Sequence, residues 1–189
     1  MAAPPRMQKK TIIMRFLPRI CRAIDRHCSA ASVILGKGVA WLTAVMAVAT
    51  TVIVISRALF DVGAVALQES VTYMHALVMM CAAAYTLRAD GHVRVDIFYR
   101  SYSPLQKAWL DALGTLLFLL PFCIYCGVIS WNYVANSWAI REASPDAGGI
   151  PAIFLMKSLI IVYGATLALQ GLAELARNLI TLLYVNDHE

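Results

Sequence analysis

The stretch "GVAWLTAVMAVATTVIVIS", residues 38–56, contains no charged side chain. Few structures can hold such a run. A helix needs about 20 predominantly apolar residues to cross the hydrocarbon core of a bilayer, and in lipid only a helix or a closed barrel satisfies its own backbone. Three more runs follow, at 70–87, at 110–134 and within 152–175. None shows the short alternating segments of a barrel strand. The expectation is an all-α membrane protein with four transmembrane helices. The start of the fourth is open at this stage because a lysine is costly in lipid. Either that span begins near Ser158, or Lys157 snorkels out of its first turns.

Composition enters as a check. Hydrophobic residues make up 60% of the 189 and charged residues 14%, against about 25% charged in a soluble domain. Some 37 residues, many of them basic, precede the first span. That is unlike a cleavable leader with its short basic start, so the first span is expected to be retained.

The basic residues give the expected orientation. Arg6, Lys9, Lys10, Arg15, Arg19, Arg22, Arg26 and Lys37 precede the first span, and Arg88, Arg94, Arg100 and Lys107 lie between the second and third. The other two connections carry only Arg57 and Arg141. The positive-inside rule then places the N and C termini in the cytoplasm. Trp41 and Trp109 fall at the inner interface, and Trp131, Tyr133 and Trp138 at the outer one. The expected division is a basic tail at 1–37, a four-helix transmembrane domain at 38–176 and a cytoplasmic tail at 177–189. Within the first tail, Ile12, Ile13, Phe16, Leu17, Ile20 and Ile24 oppose Arg15, Arg19, Arg22 and Arg26. This spacing reads as an amphipathic interfacial helix on membrane lipids, with Pro18 kinking it or marking its first turn. Basic residues tethered beside a span do not point to nucleic acid.

Chemistry at membrane depth has few candidates. Cys123 and Cys126 form a CxxC, but they lie inside the third span, where apolar surroundings keep thiols protonated and inert. His75 is the one histidine within a span, too few for a bis-histidine haem site in one chain. It is expected to hydrogen-bond a neighbouring helix. Glu69, Asp111 and Glu174 fall at span ends, with Glu69 placed to pair with Arg57. No catalytic, cofactor-binding or metal-ligating residue is assigned. Gly164, Ala168 and Gly171 follow at helical spacing in the fourth span and are read as a helix-packing face.

One block resists a purely topological account. "YTLRADGHVRVDIFYR", residues 85–100, sets Arg88, Asp90, His92, Arg94, Asp96 and Arg100 between two apolar runs. Alternation over 90–96 resembles a strand, yet a lone strand has no sheet to join. An interfacial docking loop, with Val93, Val95, Ile97 and Phe98 toward the headgroups, fits better.

These residues carry a family resemblance. "QESVTYMHALVMMCAAAYTLRADGHVRVDIFY", "LGTLLFLLPF", "EASPDAGGIP" and "LMKSLI…LALQGLAEL" resemble the small membrane subunit of tripartite ATP-independent periplasmic (TRAP) transporters. "GGIP…K…LQGLAEL" looks like the subgroup labelled for mannitol, chloroaromatic or 2-oxo-acid substrates. "AIFLM" after Pro151 and the lack of a second proline in the fourth span depart from that subgroup. The resemblance implies a bacterial inner-membrane importer of organic acids. A periplasmic solute-binding protein would capture the solute, a large membrane subunit would carry it, and this chain would be the scaffold. It also implies contact roles for Glu69, His92, Arg94, Asp96 and Lys157. A stand-alone small transporter and a membrane redox protein are the readings left beside it.

Overall fold

A computed structural model of the chain describes the backbone of residues 5–92 and 96–185, and the side chains of 17–92 and 97–184. Every described regular element is helical. The helices are α1 (Pro5–Phe60), α2 (Val65–Arg88), α3 (Asp96–Tyr99), α4 (Pro104–Gly114), α5 (Leu120–Ala139) and α6 (Ile153–Val185). A π-helical turn, Thr115–Leu119, joins α4 to α5 without a break, so the third span is one 36-residue helix. At 1.5 Å per residue it is about 54 Å long, well beyond the ~30 Å of hydrocarbon it must cross. Among the described residues, four helices are long and apolar enough to cross a membrane.

Local chemistry explains the boundaries. Ser103 and Gln106 cap α4 reciprocally: the Ser103 hydroxyl accepts from the Gln106 N–H, and the Gln106 side chain accepts from the Ser103 N–H. Pro104 then occupies the first turn, where its missing N–H costs nothing. Pro121 has no N–H to continue the ladder, and its ring crowds the preceding turn. The chain widens just before it, with the Leu120 N–H reaching back five residues to the Thr115 carbonyl. α2 and α5 both stop on a left-handed residue, Asp90 (φ 55°) and Arg141 (φ 50°). In each case the following N–H bonds a carbonyl five residues back, Gly91 to Thr86 and Glu142 to Ser137.

α6 is the hub. It packs against α1, α2, α4 and α5, and α1 and α2 also pack on each other. Among the described helices the third span packs mainly on α6. The bundle is therefore a triad of α1, α2 and α6 with one long helix set against the hub, and both flanks of that helix are open.

The first helix is continuous. The amphipathic segment is no separate element, because α1 runs through Pro18 and Lys37 without interruption. Ile12, Ile13, Arg15 and Phe16 lie outside the described side chains. Over the described part, Pro18, Cys21, Ser29, Ser32, Gly36 and Val39 are buried, at helical spacing. Ile20 and Ile24, expected to face membrane lipids, lie outside the packed face and are 55% and 38% exposed. Small residues win the packed face because they let backbones approach: a methyl added at Gly36 would lie 2.6 Å from Tyr85 Cγ on α2. α6 likewise passes through residue 176 unbroken, so neither expected tail boundary ends an element.

Candidate functional site

Polar side chains gather at the two ends of the bundle. At the end opposite the termini, residues 140–152 fold into a clasp. Glu142 follows the left-handed Arg141, which turns it back on α5 and toward α6. Its carboxylate accepts from Ser137 Oγ and Lys157 Nζ, each at 2.5 Å. Lys157 sits in the first turns of α6, its side chain 14% exposed, with its ammonium 4.0 Å from the centre of the Tyr133 ring. It lies within the helix, and its ammonium reaches the loop carboxylate of Glu142. The Lys157 ammonium, followed by the Ser137 hydroxyl, holds the Glu142 carboxyl below the usual range.

Glu69 locks the other half of the loop. One carboxylate oxygen accepts from Ser144 Oγ and the other from the Ile150 N–H at 2.5 Å. The Ser144 N–H also bonds the Ile150 carbonyl, closing the loop on itself. Pairing of Glu69 with Arg57 is thus replaced: Arg57 is exposed, and an N–H with a hydroxyl fills the carboxylate. Gly149 makes room for this, since an added methyl would stand 2.6 Å from Glu69 Oε1. Around the rim, Trp138 donates its indole N–H to Ser158 Oγ at 2.7 Å and stacks edge-on against Phe154, ring centres 4.7 Å apart. Arg141 lies 5.3 Å from both ring centres.

At the end holding the termini, Arg177 on α6 bonds Asp25 on α1 and Glu174 on its own helix, both at 3.2 Å. Ser29 donates to Asp25, and Gln170, fully buried, donates to Glu174 at 3.4 Å. Tyr99 on α3 donates to Asp111 on α4 at 2.7 Å. A cavity of about 430 Å³ opens between these groups, lined by Arg88, Asp90, Tyr99, Asp111, Glu174 and Arg177 among others. His92 lies exposed in a bend beside it. Arg94, Val93 and Val95 are outside the described residues, as is the side chain of Asp96. Ile97 and Phe98 on α3 are 83% and 67% exposed.

The packing residues of α6 are divided. Gly164 and Gly171 are buried against the third span. An added methyl would lie 3.2 Å from the Cys123 carbonyl oxygen at the first and 2.9 Å from Leu119 at the second. Ala168 is only half-buried. Cys123 is buried and Cys126 half-buried, both as free thiols. Among the described residues His75 bonds no neighbouring helix; it is exposed on α2. Sequence reasoning missed the roles of Glu142, Ser137, Ser144 and Asp25. For Glu142 a signal was present, in the turn-forming run "SPDAGGIP" that had to return the chain toward Lys157.

The model of the family described as tripartite ATP-independent periplasmic transporters, DctQ component, matches residues 46–181. Neither the comparison with curated proteins nor that with solved structures returned a match. The family match takes in all of α2 to α5, most of the α6 span and both Glu69 and Lys157. The chain belongs to the DctQ component of the tripartite ATP-independent periplasmic transporters, as the small permease subunit in the inner membrane.

Proposed function

We propose that this subunit is a non-catalytic brace for the large membrane subunit. In this reading the transporter takes up an organic acid, driven by an ion gradient, after a periplasmic binding protein delivers it. The observation that carries the proposal is the open packing of the third span. A helix that packs mainly on α6 leaves apolar side chains such as Phe118, Ile124, Val128 and Trp131 between 62% and 75% exposed. In the membrane such a flank suits packing against another protein, where van der Waals contact drives association. The polar groups at the bundle ends bond mainly one another, which suits a rigid support.

The termini end would face the cytoplasm, following the basic residues, and the clasp would face the periplasm, within reach of the binding protein. The 85–100 block would meet lipid headgroups or the large subunit, and Arg94→Ala with Asp96→Ala would weaken subunit association. The test is affinity purification of the tagged chain from gently solubilised native membranes. A stoichiometric many-spanning partner is the expected result. A chain recovered alone, even after crosslinking, that moves solute in liposomes would replace this reading with a stand-alone transporter.

A further inference from the structure

α2 is the least apolar of the four spans, with a mean hydropathy of 1.3 against 1.7 to 2.2 for the others, and only 11% of its most apolar window is buried. α1 and α6 pack on it and leave most of its residues half-buried, so that only a narrow stripe is turned outward. Its exposed stripe is Thr72, His75 and Met79, flanked by the small Ala76, Ala82 and Ala83. Thr72 returns its hydroxyl to the Gln68 carbonyl of its own helix at 3.5 Å. The His75 side chain has no such partner in the described chain. It lies near the middle of Val65–Arg88, where an imidazole N–H facing hydrocarbon goes unsatisfied.

We infer that the Thr72–His75–Met79 face of α2 is where a transmembrane helix of the large subunit docks, through an acceptor side chain or carbonyl that receives a hydrogen bond from His75. This deepens the brace reading and rests on it. The chemistry of this stripe favours a protein occupant over lipid, because acyl chains offer nothing to an imidazole at mid-span and headgroups do not reach it. The alanines beside His75 allow the partner backbone to come close. The α5 flank can pack on the large subunit through apolar contact alone, whereas His75 on α2 also needs an acceptor. A second copy meeting this face across a two-fold axis would set one His75 N–H against the other's bare ring nitrogen, and the crosslinking below separates that outcome from the large subunit.

The experiment uses the complete transporter, co-expressed. A photoreactive phenylalanine analogue is placed at Met79 and, separately, at Val128 on α5. Met79 is expected to crosslink to the large subunit. Crosslinking at Met79 to lipid alone or to a second copy, while Val128 reaches the large subunit, would overturn the assignment and leave the brace intact. Failure at both sites together with loss of co-purification would remove the brace reading itself. In parallel, His75→Leu is expected to lower the recovered large subunit about threefold, and up to about twentyfold, the range set by interhelical hydrogen bonds in membranes. His75→Asn, which keeps a donor, should recover most of it. Equal recovery with His75→Leu and wild type would also overturn the proposal.

Discussion

Gly149 and Glu142 show how much of the clasp rests on single side chains. Gly149→Ala would push a methyl into Glu69 and Ser144, an overpacking that typically costs about 1–3 kcal/mol. The expected outcome is faster proteolytic cleavage within 140–152 while the helical signal persists. Glu142 supplies a pH signature. Its carboxyl is held below 4.5, so its contribution is fully present above that value and is lost as pH falls beneath it. With Trp41, Trp109 and Trp131 replaced by Phe, the emission of Trp138 should stay constant near neutrality and shift only below 4.5. The shift should be absent in Glu142→Gln. The residue types at the clasp were legible in the sequence, but their pairing was not. Arg57 lies nearer to Glu69 along the chain than Ile150 does, yet Ile150 has an N–H aimed at the carboxylate and Arg57 is turned to the exterior.

Between elements, the contacts depend on where small residues fall. Gly36→Ala meets the base of the Tyr85 side chain, which cannot swing away as a flexible tip could. The loss should exceed the ~1 kcal/mol that alanine gains over glycine in a helix, and a thermal scan in detergent should show a lower Tm. Gly164→Ala meets a carbonyl oxygen at 3.2 Å, a tight fit that the helical gain can nearly offset, so its Tm should stay close to wild type. Gly164→Leu has no such room and should detach the third span from α6. Cys126 labelling by a small thiol reagent would report that separation. The fourth-span glycines were readable as packing residues because their spacing is helical. The equivalent face of α1 carries no apolar periodicity in the sequence, because its packed residues include Cys21, Ser29, Ser32 and Gly36.

Taken whole, the molecule has a polar clasp at one end, a charged cluster at the other and an open apolar flank between. Its proposed orientation makes a direct prediction. In intact cells of an outer-membrane-permeabilised strain, a membrane-impermeant maleimide should label Asp146→Cys, and it should label His92→Cys only after the inner membrane is opened. The reverse pattern would invert the topology. What the sequence alone determined is the number of spans, the helical class and the family, since each follows from local properties: run length, hydropathy and short motifs. The bilayer makes these local properties decisive by allowing a spanning segment no other backbone solution. The tertiary structure decided which faces meet. It made α6 the hub, carried α1 unbroken past Pro18, bound Glu69 to Ile150 and Asp25 to Arg177, and left His75 facing outward. In lipid, helices associate through shape and hydrogen bonds instead of through burial of apolar surface, so hydropathy alone does not encode their arrangement.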